Sequence, residues 1–521
     1  MAGTITPNLT TISICDALTG WTAVGGTNSL NDLAIFDQKQ GTNCIQNYNA
    51  AAANRGSDYD FGADTNLSDT TIYCWFAFSK VPHATNPMRI RVEDASANWR
   101  EWNIFTKATL PHLSWIAWAL KTTVAYDAQS ATAPVMTAIR KVGWRLDATI
   151  AKVYIYFDAW RYGTGLSIKA GTEASPAVLE DFYTADNDSA NAYGIVEKYG
   201  GIYYSQGQLT IGSTTAGDVT YFKDINQILV FKSIKGNPTG FYEIKGQGNA
   251  TATTKIFLGT KSGTAGISGC VIKAGTEKFK LTVSDTNITE FGFYSCTFTN
   301  ADTITGQAYS ALKEFLSSTF SACAEMLPDT GIVKECYFIS SAAKAIKISS
   351  ASHNVKNCNF IDCQTAIHHN VGGPVGTPLE YDYDKLIFTG GTYHIENSAV
   401  TPNFYINIDR LNGSNPDAAK INNSNGGSTT ILAISVQLTL TGLIAGSDVR
   451  IMNAGTTTVL AETDNSGTTF VYSYNYGVYP NVDIVVLHLD YEYFRMESFT
   501  PASTNASMPI PLRKDRWYSN P

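Results

Sequence analysis

The chain has 521 residues, 44% of them apolar and 16% charged, with a net charge of −8. That length exceeds one compact core and predicts two to four domains, while the apolar share is that of a globular chain rather than a disordered one. Lys and Arg number 37 against 45 Asp and Glu, with no clustered basic stripe, which excludes a nucleic-acid footprint.

The N-terminal "MAGTITPNLT" lacks the basic start and apolar run of a secretory leader, and "WIAWAL" (115–120) is too short to span a bilayer. Synthesis in a cytoplasm without membrane insertion is expected. The nine Cys are odd in number and show no Cys-x-x-Cys spacing, so free, buried thiols are expected.

Eight of the nine Trp lie at or before Trp160, whereas six of the nine Cys lie between Cys270 and Cys363. Such shifts mark different core chemistries and hence different domains. Within 1–160, "IYCWFAFS" (72–79), "MRIRVED" (88–94), "WREWNIF" (99–105) and "AKVYIYFD" (151–158) alternate with period two and are separated by turn signals. They predict an all-β sandwich of the jelly-roll kind. "PHLSWIAWALKT" (111–122) fits a short helix and a strand equally.

Residues 161–425 carry a repeat. Phe298, Phe320, Phe338, Phe360 and Phe388 follow one another at 22, 18, 22 and 28 residues, each two after Cys296, Ser318, Cys336, Cys358 or Leu386. Two apart on a strand means one face. A period near 22 is too short for a propeller blade and suits one turn of a parallel β-helix. Stacking then puts Cys over Cys and Phe over Phe inside the coil, rising ~4.8 Å per turn. Val333 and Val355 precede their Cys by three, the wrong parity for one flat strand, so a bend must intervene. "KAIKI" (344–348) and "TAIHH" (365–369) fit as second strands. Upstream, "YFKDINQILVFKSI" (221–234) and "KIFLGT" (255–260) fit less regular early coils. Residues 411–428 read as a linker or a last loose coil.

Alternation returns in 426–521 with "ISVQLTLTGL" (434–443), "DVRIMN" (448–453), "TTFVYSYNY" (468–476) and "VDIVVLHLDYEYF" (482–494). A small immunoglobulin-like sandwich without a disulfide is expected, since no Cys follows Cys363. The tail "RKDRWYSNP" carries Trp517.

Several stretches resemble a known family: "DAWRYGTGLSIKAG" (158–171), "YGGIYYSQGQLTIG" (199–212), the Cys-x-Phe coils and "YEYFRMESFTPASTNASMPI" (491–510). They are similar to virion structural proteins of tailed bacteriophages, which carry pectate-lyase-like right-handed β-helices and β-sandwich domains. The first 157 residues resemble lectin or carbohydrate-binding jelly rolls only in general pattern. The resemblance implies a homotrimer, partners among tail or capsid proteins, and a host-surface glycan as a further ligand.

Candidate chemistry is sparse. A glycosidase needs two carboxylates about 5–10 Å apart. The densest acidic stretches are "LEDFYTADND" (179–188) and "EYDYDK" (380–385), where Asp382 and Asp384 share a strand face. Solvated surface acids are the simpler reading of both, and a surface turn that of Asp186, Asn187 and Asp188, which lack EF-hand spacing. Cys363, His368, His369 and His394 do not make a zinc set, because adjacent strand residues point apart. No Gly-x-Ser-x-Gly, Walker or His-Glu-x-x-His motif occurs, and no cofactor is implied. Trp99 and Trp102 lie on opposite strand faces, so one is expected in the core and the other as an exposed sugar platform. The expectation is a phage tail spike or fibre that assembles and binds, with capsid-surface decoration and glycan depolymerase as alternatives. Trp99 or Trp102 would face outward, and Trp517 would anchor attachment to the particle.

Overall fold

The computed structural model describes residues 4–31, 38–51, 54–79, 88–105, 114–147, 153–188, 191–232, 242–248, 253–260, 269–275, 278–283, 288–306, 312–328, 330–409, 413–433, 435–475, 481–502 and 504–515. The protein is all-β. The described residues contain one α-helix, α1 (Leu179–Asp186), and a short 3-10 turn at Ala418–Lys420. They divide into two compact units, 1–347 and 348–521.

The first unit begins with two facing antiparallel sheets. One has six strands, in the order Ala128–Gln129, Trp99–Phe105, Met88–Asp94, Ile139–Asp147, Asn54–Thr65 and Trp21–Val24. The other gathers Thr4–Ser13, Cys44–Tyr48 and Thr71–Phe78 around the strand Tyr154–Lys169. Period-two alternation explains the core between them. Ile72, Cys74, Phe76 and Phe78 enter from one sheet, and Ile90, Val92, Trp102, Val142 and Trp144 from the other. Trp160 meets Phe76 and Trp21 edge-on at 5.7 and 5.5 Å, the geometry that ring quadrupoles favour. The ambiguous stretch at 111–122 supplies a strand, Ile116–Lys121, paired with Thr71–Phe78.

The expected boundary at 160/161 falls inside a single strand. Tyr154–Lys169 pairs antiparallel within the sandwich, then turns its Gly165–Ile168 portion parallel to Gln208–Ile211. Ala159, at φ 50°, marks the bend. Sandwich and first coil therefore share one continuous backbone.

Beyond it, most strands pair in parallel with the strand three later, so the chain visits three sheets in turn. Val271–Lys273, Thr297–Thr299, Thr319–Ser321 and Tyr337–Ile339 stack in register, as do Ile288–Tyr294, Leu312–Leu316 and Ile332–Lys334 in the next sheet. The bend required before Cys336 is one residue, Glu335, at φ 59°. The same left-handed corner recurs at Ser295 and Ser317, and a second corner follows each Phe at Asn300, Ala322 and Ser340. Each turn thus reads left-handed residue, inward residue, short strand centred on Phe, left-handed residue. Cys296, Ser318 and Cys336 fill the inward position and are fully buried.

In the second unit the same unit of chain repeats. Asn357 and Asp362 flank Phe360, while Lys385 and Gly390 flank Phe388, all at φ between 50° and 65°. Asn359–Ile361 pairs in register with Ile387–Thr389, and the rings of Phe360 and Phe388 stack at 5.1 Å. Residues 411–428 continue this pattern where they are described. Ile421–Asn423 pairs parallel with Tyr393–Asn397, and parallel pairing runs on to Thr429–Ala433. The expected boundary at 425/426 therefore lies too early. Among the described residues seven strands follow, in a three-stranded and a four-stranded sheet around Val436, Leu438, Leu440, Val449, Ile451, Ile484 and Val486.

Candidate functional site

The outward face of the six-stranded sheet is built by the residues that alternate with the core. On Met88–Asp94 these are Arg89, Arg91 and Glu93, and on Trp99–Phe105 they include Trp99 and Glu101. Ile139–Asp147 contributes Lys141, Gly143 and Arg145, and Asn54–Thr65 contributes Asp58 and Asp60. Register sets charges of opposite sign side by side: Arg91 opposite Glu101, and Glu93 between Trp99 and Lys141.

The charges neutralise one another. Arg91 donates to Glu93 at 3.0 Å and to Glu101 at 3.3 Å, and Lys141 donates to Glu93 at 3.0 Å. Arg89 spans Glu101 at 3.2 Å and Asp147 at 2.7 Å. Arg145 forks onto both oxygens of Asp58 at 2.7 and 2.8 Å. Burial pulls the Glu93 carboxyl up, but hydrogen bonds from Lys141 and Arg91 outweigh it and hold it below the usual carboxylate range. The reciprocal bond raises Lys141. Bidentate and networked pairs of this kind are stiff, unlike isolated surface pairs.

Trp99 sits in this network. It is half-buried, its backbone N–H donates to Ser130 Oγ at 2.8 Å, and the Arg91 guanidinium lies 4.5 Å from its ring centroid. Trp99 lies outside, and its cross-strand neighbour Glu93 inside, a hollow of about 300 Å³ lined also by Asp60, Asp94, Arg140 and Lys141. Its rim is held by Asp94, which accepts from the N–H groups of Ser96 at 2.9 Å, Asn98 at 3.0 Å and Val135 at 3.2 Å. Gly143 permits close strand approach here, since a Cβ would lie 2.0 Å from the Ser57 carbonyl oxygen. A floor of fixed, mutually compensated donors and acceptors beside an indole suits neutral vicinal hydroxyls.

Trp102 takes the core position. It is 2% exposed, and its Nε1 donates to the Val124 carbonyl at 3.1 Å. It is therefore removed from the pair of binding candidates. Trp517 lies outside the described residues. The residues around Trp99 escaped sequence reading, although Arg89-x-Arg91-x-Glu93 marks one charged face. Nothing local shows that Lys141 and Asp60, 48 and 33 residues from Glu93, lie beside it.

The other candidates separate. Asp186 is fully buried at the end of α1, which corrects the expected surface turn. Its carboxylate accepts from the N–H groups of Gly194 at 2.8 Å, Ile195 at 2.7 Å and Val196. Burial nonetheless pushes it up to about 7. Asp382 and Asp384 share an outward face as expected, alternating with buried Tyr381 and Tyr383. His368 and His369 are both buried, because the outward side of their strand is also covered. His369 Nε2 bonds Tyr383 OH at 2.8 Å, and His394 stacks on Phe388 at 5.0 Å while its Nδ1 accepts from Asp417 N–H at 2.9 Å. Among the described residues no group of three His, Cys, Asp or Glu converges as a metal site would require. The ladder residues Cys296, Phe298, Phe320, Cys336, Phe338, Cys358, Phe360 and Phe388 are all buried.

No family model and no curated protein matches the chain. Among solved structures it is similar to a family 11 carbohydrate-binding module from a cellulosomal cellulase of Clostridium thermocellum, at 10% identity and TM-score 0.23 over 30% of this chain and 95% of that one. It is similar to a xylan-binding domain from Paenibacillus barcinonensis at 17% identity and TM-score 0.20, over 31% of this chain and 95% of that one. It is also similar to an exo-beta-agarase at 8% identity and TM-score 0.23, over 28% of this chain, and spans only 23% of that enzyme's length.

Proposed function

We propose that this chain is a structural protein of a tailed-bacteriophage particle that holds a neutral host-surface glycan on the outward face around Trp99. The particle assignment rests on the sequence resemblance in residues 158–521. The glycan assignment rests on one observation: an indole set in a rigid, self-neutralised field of Arg91, Glu93, Glu101 and Lys141. Binding rather than turnover is the work proposed, because Glu93 and Glu101 are tied to cations and Asp94 to backbone N–H groups.

In this reading the N-terminal sheets are a jelly roll and the parallel coils a right-handed β-helix. The last seven strands are an immunoglobulin-like sandwich that attaches to the particle, and the assembly is a homotrimer. The parallel corners and in-register Phe stacks support the β-helix.

Calorimetry of the full chain against neutral polysaccharide from the host surface tests the site. Binding that falls at least tenfold in Trp99→Ala, with the melting temperature kept, is expected. Equal binding by that variant, or new reducing ends released by the native protein, overturns the reading. Gold labelling on intact particles tests the placement. Light scattering at 56.5 kDa rather than three times that mass would remove the trimer.

A further inference from the structure

One of the three stacked sheets starts on a hairpin. Val196–Tyr199 pairs antiparallel with Ile202–Ser205, which then pairs in parallel with Ile228–Phe231. Val196–Tyr199 is thus the edge strand of a nine-stranded sheet. Glu197 stands opposite Tyr204, and Tyr204 opposite Val230, so the three share one face. Lys232 lies two residues beyond Val230 on that face, and its backbone N–H donates to the Ser205 carbonyl at 2.8 Å, which prolongs the pairing. Its side chain crosses over the middle strand, and the ammonium contacts Glu197 Oε2.

This pair differs from the other lysine ion pairs among the described residues. The Glu197 side chain is 6% exposed, the least of any carboxylate in them. Glu101 is as deeply buried, but its partners Arg89 and Arg91 are guanidinium groups, which stay charged. Glu197 Oε1 accepts from the Tyr199 hydroxyl at 3.1 Å, whereas Oε2 has no hydrogen-bond donor apart from Lys232. Burial raises Tyr199, which keeps that phenol a donor, and brings the Lys232 ammonium down to about 8. Two opposite charges held out of water are costly, and a desolvated lysine is closer to its neutral, nucleophilic form. Asp186 is the other carboxyl whose field Lys232 feels, but its oxygens already accept from the N–H groups of Gly194, Ile195 and Val196.

We propose that Lys232 and Glu197 condense to an intramolecular amide, a covalent staple from the edge strand to the end of the third strand of the sheet. A proton passes from the ammonium to Glu197 Oε2, the freed amine attacks Cδ, and the Cδ–Oε2 bond breaks. Oε2 leaves as water, carrying that proton and a second one from the nitrogen. One carboxylate and one ammonium thus become one amide and one water, with no co-reactant. The Tyr199 hydroxyl on Oε1 stabilises the negative charge that builds there during attack. Fixed contact between the two groups replaces the high concentration that amide formation otherwise requires. Lys232 also lines a hollow of about 590 Å³ in front of Trp118 and Tyr204, which gives the water an exit. The amide removes two charges and closes a loop between positions 35 apart, which restricts the unfolded chain. It does so without redox chemistry, in a chain whose nine cysteines form no disulfide. None of this depends on the Trp99 face.

Mass spectrometry of the full chain tests the proposal. The purified protein should weigh one water less than its sequence, and Lys232→Arg, which keeps the positive charge, should regain its full sequence mass. In a tryptic digest, cleavage after Lys232 should be blocked, and a branched peptide should join the segment carrying Glu197 to the segment carrying Lys232. Glu197→Ala should abolish the branch, and Trp99→Ala should leave it intact. Native protein at full sequence mass, or a lost water that maps to any other residues, overturns the proposal. Should either variant at the pair fail to fold, the digest of the native protein decides alone: a branched Glu197–Lys232 peptide upholds the amide, and two separate linear peptides refute it.

Discussion

Phe298 and Phe320 lie with ring centroids 5.3 Å apart and planes 8° from parallel, one above the other on strands that pair in register. Phe338 extends the stack at 4.9 Å and 10°. Phe320 therefore has a ring on each side, and it is 2% exposed. Truncation to Ala removes both contacts and leaves a cavity that the stacked backbones above and below cannot collapse. Phe320→Ala is expected to destabilise the first unit by about 3–5 kcal/mol, and Phe320→Leu by less. Urea unfolding followed through hydrogen exchange of Thr297–Thr299 and Tyr337–Ile339 measures it. No shift for Phe320→Ala would contradict a packed ladder.

The corners make a second prediction, with opposite signs for two substitutions. Ala322 holds φ 52°, where a Cβ costs about 1–2 kcal/mol. Glycine removes that strain and gives back part of the gain as unfolded-state entropy, so Ala322→Gly should stabilise by roughly 0.5–1 kcal/mol. A β-branched residue is worse than Ala there, and Ala322→Val should destabilise by at least about 1 kcal/mol. Thermal melts of the two variants on either side of the native protein check this order.

The two units should respond to acid in opposite directions. In the first, burial raises Asp158 and Asp186 to about 7 and Asp224 to about 6, each against backbone N–H bonds that pull the other way. A carboxyl raised on folding contributes stability that is fully present below its unfolded value near 4 and is lost as pH rises to about 7. In the second, burial lowers His353 to about 4 and His369 well below its usual value. Their contribution is present above about 6.5 and is lost as pH falls toward 4. Between pH 7 and pH 4.5, exchange at Gly194–Val196 should slow and exchange at Thr365–His369 should quicken, after correction for intrinsic rates. Movement of both segments in the same direction would refute the assignment.

All nine cysteines are buried, and none is in a disulfide. Burial pushes Cys44 up to about 12 and Cys323 up to about 11, so neither presents a thiolate at neutral pH. Iodoacetamide should modify none of the nine in the native protein within the time that modifies all nine in urea. Mass spectrometry showing a Cys270–Cys296 bridge in protein purified without reductant would contradict free thiols in adjacent coils.

The coil was legible in the chain because parallel stacking turns a local pattern into a tertiary one. Like residues in successive turns must overlie, so Cys-x-Phe at a period near 22 specifies inward thiols and rings. Even the parity fault between Val333 and Cys336 marked the corner that Glu335 makes at φ 59°. The choice between Trp99 and Trp102 was not legible, since alternation says that two faces differ but not which one a second sheet covers. Trp102 went inward because Ile90 and Trp144 flank it on that side. Burial of Asp186 followed from the return of Gly194–Val196 over the end of an eight-residue helix too short to show a period. The charged face around Trp99 likewise needed the fold. It joins Glu93 to Lys141, 48 positions apart, in strands whose order no local signal encodes, and charge complementarity between them exists only once the register is set.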